Sequence, residues 1–352
     1  MANPMNIRKI RTTIRDCYIR RGGFFPVLFK HNNIAYVFCR TNAGHLGRFG
    51  QITTLISTNG LDWYERGIIK KENSDVRNPS VFIFSDDELL VSAYKYNVYT
   101  KQGIAFPTLP SGSREPLLFS SKNGGKTWQE KYNAFDNVLV EIGRFSPHGQ
   151  MFLYQEQLLM PIYNKQGTFL LSSSDRGKTW EVFSHISENT GAASVVVTPD
   201  NNLLAVLRTE GKHNLHGKVS LISRYVNNKW TMPVSITEQM QFPANLLTLS
   251  TGQILLTYSD RNIENQMILA KLSSDNGETW SQPIQISKTF TNCDFGYPST
   301  IEIKTGVLLT VFYANPMQNP HFYFNNPCLY EKIEATGYYN TYPLEELLES
   351  LV

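Results

Sequence analysis

The sequence predicts an all-β protein, a six-bladed β-propeller of four-stranded antiparallel blades, and two sets of repeats carry the prediction. The first is a turn box. "SKNGGKTW" at 121–128, "SSDRGKTW" at 173–180 and "SSDNGETW" at 273–280 share one seven-residue step from Ser to Trp, while "SRYVNNKW" at 223–230 keeps only its two ends and "STNGLDW" at 57–63 is one residue shorter. All five tryptophans, Trp63, Trp128, Trp180, Trp230 and Trp280, close these boxes, at steps of 50 to 65 residues. A period of that length marks a solenoid, propeller or array. The second set is a pair of apolar strands ahead of each box, and a sixth pair without a box: 25–40, 78–95, 146–164, 193–209, 242–260 and 297–314.

Each element follows from local chemistry. In the box, Asp or Asn at the third position bonds its own backbone, Gly at the fifth supplies a positive φ, and Thr-Trp re-enters a strand. The strand pairs are rich in Val, Ile, Leu, Tyr and Phe and are bounded by Gly, Asp and Asn, the pattern of hairpins. Proline opens five of the six (Pro26, Pro79, Pro147, Pro243, Pro298), where its missing N–H costs least. Six units of about four strands read as six blades. Cys328 to Ala335 ("CLYEKIEA") is the strand expected to complete the last blade, with "IRKIRTTIR" at 7–15 as its outer partner, so that overlap of the chain ends closes the ring. The tail "PLEELLESLV" reads as a short helix at about 342–351, within a single domain spanning 1–352. Repeat folds grow by adding units, so 352 residues need no second core.

Composition excludes several classes. A net charge of +3, from 33 basic and 30 acidic residues, implies no polyanion-binding field, and the six basic residues between Arg8 and Arg21 suit an outer edge strand. No nucleic-acid motif, dinucleotide fingerprint or calcium loop is present, so nucleic acid, cofactor and metal are not expected. No apolar run is long enough to span a membrane. The first residues lack the apolar core of a signal peptide, and Cys17, Cys39, Cys293 and Cys328 have no disulfide or metal spacing; both point to the cytoplasm unless the chain is trimmed.

The boxes at 121, 173 and 273, with the strand pairs between them, resemble the Asp-box (BNR) repeats of the sialidase (neuraminidase) superfamily over about residues 20–315. The resemblance implies a central pocket at the entry ends of the inner strands. The residues there are polar: His45 and Arg48; Asp75 and Arg77; Glu141, Arg144 and His148; Arg208 and Glu210; Asp260 and Arg261; Asp294 and Tyr297. Arginine recurs in several repeats, and guanidinium forks bind carboxylates. A sialidase-like enzyme uses three arginines on the substrate carboxylate, a tyrosine nucleophile paired with a glutamate, and an aspartic acid as proton donor. By this resemblance Tyr297 of "GYPS" stands at the nucleophile and Arg208 at the second arginine. Phe24, Arg48 and Ala192 occupy the places of the first arginine, the acid and the glutamate.

Three functions are therefore expected to compete. The first is a glycoside hydrolase on an acidic glycan, with Tyr297 as nucleophile and Asp75, Glu141, Asp260 or Asp294 as substitute acid. The second is a uronate lyase using His45, His148 or Tyr297 as base with arginine on the carboxylate. The third is a glycan-binding propeller without catalysis. The substrate-binding residues expected are Arg208, Arg77, Arg144, Arg261, Arg48, Glu210 and Asp75.

Overall fold

The computed structural model describes residues 8–9, 17–21, 23–43, 45, 49–72, 74–96, 114–210, 217–316 and 336–345. Five of the six expected strand pairs are antiparallel hairpins; in the third, 146–164, the first strand is broken, and Ser146–Pro147 and Phe152–Tyr154 lie antiparallel to Gln157–Tyr163. The first begins with Phe24–His31 and Ile34–Thr41, the second with Asp75–Ile83 and Leu89–Tyr96, and the last with Cys293–Lys304 and Val307–Pro316. Each pair seeds one of six sheets. First strands of successive sheets pack side by side, and Cys293–Lys304 returns against Phe24–His31, giving a β-propeller.

An apolar layer fills each junction between sheets. Tyr36 and Phe38 face the second sheet with Val81 and Val91, while Ala35, Val37 and Cys39 of the same strand face the sixth with Ile301 and Val311. Successive side chains point to opposite faces, so a strand buried on both reads as a continuous apolar run. That is why the sequence shows apolar blocks rather than strict alternation.

Three details differ from expectation. Only the first and sixth sheets have four strands; the other four have five, two of them through short parallel pairings. The outer partner of the last blade is Cys17–Arg21, antiparallel to Thr336–Pro343, whereas Arg8–Lys9, within the segment expected there, lies beside Ile284–Gln285 of the fifth sheet. Cys17–Arg21 runs almost directly into the first strand of the first sheet, so it reaches the neighbouring edge without a long connection. The expected strand Cys328 to Ala335 lies outside the described residues. Of the expected helix at 342–351, residues 342 and 343 belong to a strand, Leu344 and Glu345 are helical, and the rest lies outside the described residues. Among the described residues no helix is long and apolar enough to cross a membrane.

The turn boxes fold as their chemistry dictates. In the third, Gly277 N–H donates to Ser273 Oγ (2.8 Å), Thr279 N–H to Asp275 Oδ1 (2.9 Å), and Trp280 Nε1 to the Gly277 carbonyl (3.1 Å). Gly125, Gly177 and Gly277 take φ of 82°, 82° and 85°. Bonds from the Thr279 hydroxyl and N–H hold the Asp275 carboxyl at about 2. The worn box is different. Asn227 and Asn228 (φ 52° and 62°) make a two-residue hairpin turn that brings Trp230 opposite Tyr225.

Candidate active site

Strand register separates the boxes from the candidate site. Leu89 pairs with Ser121, which opens a box, while Tyr96 pairs with Arg114 at the other end of the same two strands. Ile254 and Asp260 pair likewise with Ser273 and Met267. Most of the polar residues singled out above, Arg48, Glu141 and Arg144 apart, cluster at the end away from the boxes.

The inner strands are shaped to present them. Register shifts break the first hairpin of five sheets at Phe24/Val27, Arg77/Ser80, Thr190/Ala193, Gln241/Ala244 and Gly296/Ser299. At three of these a non-glycine residue before proline has positive φ: Phe25 (53°), Asn78 (49°) and Tyr297 (56°). Such backbone costs about 1–3 kcal/mol per residue, and bulges of this kind re-aim side chains beside functional sites. In the third sheet, Ser146–Pro147 pairs with Tyr163 and Ile162, and Gly149–Gln150 crosses to Ser80 and Val81 of the second sheet. His148 is thereby held between two sheets.

Four aromatic rings, Phe24, Phe25, Tyr297 and Tyr313, form a buried cluster there. Tyr297 meets Phe25 edge to face at 4.9 Å and His148 at 5.2 Å. Arg208 Nη1 donates to the Tyr297 hydroxyl at 2.8 Å, and its Nη2 binds Glu210. Glu210 also receives Lys218 Nζ at 3.4 Å. The pair lies against Gly191, where an added Cβ would come 2.2 Å from Glu210 Oε1 and 2.8 Å from Arg208 Nη2. Burial opposes the charge of Glu210, but Arg208 and Lys218 outweigh it and keep the carboxyl below its usual range. Burial pushes the Tyr297 phenol up, and Arg208 offsets part of the shift.

Across the cluster, His45 Nδ1 lies 2.6 Å from Asp294 Oδ2. The same carboxylate accepts Tyr313 Oη at 3.0 Å and Arg261 Nη2 at 3.3 Å. Although burial works against its charge, His45 first and then Arg261 hold the Asp294 carboxyl below the usual range, so it is ionised at neutral pH. The His45 ring packs edge-on to Phe24 and Phe25.

Asp75 is fully buried, 2.7 Å from Arg40 Nε and 3.2 Å from Arg77 Nη1. Gly50 permits this, since a Cβ there would lie 1.9 Å from Asp75 Oδ1. Arg77 also stacks over Phe25 at 5.4 Å. Asp260 accepts Gln241 Nε2 at 3.0 Å, and burial raises its carboxyl. His148 is driven down to about 3 by burial and then Arg208, and no described residue partners its buried Nδ1. It is neutral at ordinary pH and a weak base.

Of the expected residues, the structure brings together Tyr297, Asp294, His148, His45, Arg208, Glu210, Arg261, Arg77 and Asp75. Glu141 and Arg144 are exposed on and just after the short helix Asp136–Ile142, which turns Val138, Ile142 and then Phe145 inward. Arg48 lies outside the described residues. Sequence reading missed Arg40, although "CRT" at 39–41 repeats the "LRT" of 207–209. It also missed Arg114, which no motif marks.

Residues 50–310, most of the chain, match the family model described as a BNR repeat-like domain. The chain belongs to the BNR repeat-like domain family. No curated protein matches it by sequence. Among solved structures, this BNR-repeat chain is similar to a protein of unknown function from Dyadobacter fermentans, with TM-score 0.71 and 19% identity over 93% of this chain and 98% of that one. It is also similar to the NanB sialidase of Streptococcus pneumoniae, with TM-score 0.63 and 13% identity over 98% and 71% of the two chains. An α-L-arabinanase of Penicillium chrysogenum gives TM-score 0.60 and 11% identity over 95% and 99%. At these identities the likeness speaks to fold, and it agrees with the resemblance of the boxes to the sialidase superfamily.

Proposed function

We propose that this BNR-repeat propeller, with one blade for each of its six sheets, is a glycoside hydrolase acting on an acidic glycan. The observation that carries the reading is the Tyr297–Arg208–Glu210 assembly facing the His45–Asp294 pair within one aromatic cluster. Tyr297 is the nucleophile, its oxygen bonding to the anomeric carbon as the bond to the leaving oxygen breaks. Arg208 stabilises the phenolate that forms, and ionised Glu210 takes the phenol proton. His45 gives a proton to the leaving oxygen, and Asp294 orients its ring and balances the imidazolium charge. Asp294, held ionised, serves as orienter rather than donor. Water then releases the sugar from Tyr297, with His45 as base. The sialidase and arabinanase folds among its structural neighbours support a carbohydrate substrate.

The lyase reading needs a base near neutrality; His148, driven down to about 3, is poorly matched to that task, which leaves His45, oriented by Asp294, as the base a lyase would use. The test is mass spectrometry of products from nonulosonic-acid glycosides and uronic-acid polymers, with Tyr297→Phe alongside. The expected result is sugar release with uptake of one water, reduced at least about a thousandfold in the variant. Cleavage without water uptake would establish the lyase. No cleavage of any substrate would leave a binding propeller, and full activity of Tyr297→Phe would remove the nucleophile.

A further inference from the structure

The arginines of the cluster are not equivalent. Arg40 and Arg77 share Asp75, Arg208 holds Glu210, and Arg261 holds Asp294. Arg114 differs from all four. Among the described residues no carboxylate pairs with it, and residues 97–113, which lead into it, contain neither Asp nor Glu. Its Nη1 reaches Ser146 Oγ at 3.4 Å, and its Cζ lies 6.0 Å from the Tyr94 ring centroid and 5.9 Å from that of Tyr163. A guanidinium stays charged at any ordinary pH, and ring faces compensate a half-buried charge less well than an anion does.

Its position gives that charge a use. Arg114 begins its strand opposite Tyr96, at the end away from the boxes, and shares a face with Leu118, which packs toward the third sheet. The Arg208 guanidinium lies 5.7 Å from the same Tyr163 ring, and Tyr163 Oη accepts Asn78 Nδ2 at 3.2 Å. Tyr163 thus stands between the Tyr297 assembly and Arg114, and a glycan seated at Tyr297 that extends past Tyr163 arrives at a guanidinium that no described carboxylate pairs.

We propose that Arg114, framed by Tyr94, Tyr163 and Ser146, is an anion-binding subsite that receives a carboxylate or sulfate group of the bound glycan. This rests on the glycan reading above. It places recognition of the substrate's charge on a residue the sequence motifs do not mark, while each of the other four arginines is already in contact with a carboxylate of the chain.

The experiment is NMR titration of the intact protein with galactose, galacturonic acid and galactose 6-sulfate at low salt. At least one acidic sugar is expected to bind about tenfold or more tightly than galactose, and the two acidic arms tell carboxylate from sulfate. Arg114→Gln should remove that preference and leave galactose binding unchanged. Arg114→Met, which keeps the aliphatic stem against the tyrosines, repeats the test if the first variant does not fold. Equal binding of all three sugars, or a preference that survives loss of the guanidinium, would overturn the subsite and leave the glycan reading standing. Failure of all three sugars to bind would likewise overturn the subsite, since neither acidic group is received there, while the glycan reading stands or falls on the product test above.

Discussion

At Tyr297, strained backbone, a buried phenol and an arginine contact coincide. The residue was legible because "GYPS" is a local motif, and Arg208 because it closes an apolar strand. What the motif did not carry is the carboxylate. Glu210 reaches Arg208 from two residues further on, just past the end of the strand and over Gly191, while the position expected to hold it, Ala192, is buried in the bulge. That exchange depends on an empty Cβ position, which one-dimensional spacing does not reveal. His148 makes a prediction at this scale. Its folded value of about 3 lies below the ordinary histidine value near 6.5, so the folded imidazole refuses a proton that the unfolded one accepts. Stability is complete above about pH 6.5 and declines as pH falls toward 3, by at most about 1.4 kcal/mol per unit. Urea unfolding across that range should show a shallower acid limb for His148→Asn. An unchanged slope would mean the ring titrates normally.

At the scale of elements, hairpins and boxes were readable because both are local: a few residues decide a turn, and apolar blocks decide the strands. The exceptions have local causes too. The worn box lost its Asp and Gly and became an Asn-Asn hairpin, and 136–142 left the strand pattern because Val138 and Ile142, one helical turn apart, bury together. The boxes also predict unequal costs. Trp180 is 1% exposed and packs with Phe135, whereas Trp280 is only half-buried. Trp180→Ala should therefore cost about 3–5 kcal/mol in chemical denaturation, and Trp280→Ala less. Any activity should be spared in the folded fraction, since the boxes lie at the far ends of the strands. Equal losses would contradict the difference in burial.

For the whole molecule, the decisive feature is closure. Cys17–Arg21 covers Thr336–Pro343, which would otherwise be a sheet edge offering unpaired backbone groups to other chains. Removing residues 1–22 should lower the melting temperature by about 5–10 °C and promote association, seen by calorimetry and light scattering. An unchanged melting temperature in a monodisperse sample would show that the ring holds without this strand. The sequence by itself determined the repeat, the hairpins, the propeller and most residues of the candidate site, because each is written in local spacing or in recurrence. Only the tertiary structure decided which arginine meets which carboxylate, that His148 sits neutral between two sheets, and that Arg114 meets no carboxylate among the described residues. Those outcomes depend on burial and charge being set jointly where neighbouring blades meet at one end of the ring, even for Arg208 and Glu210, which are two residues apart in the chain.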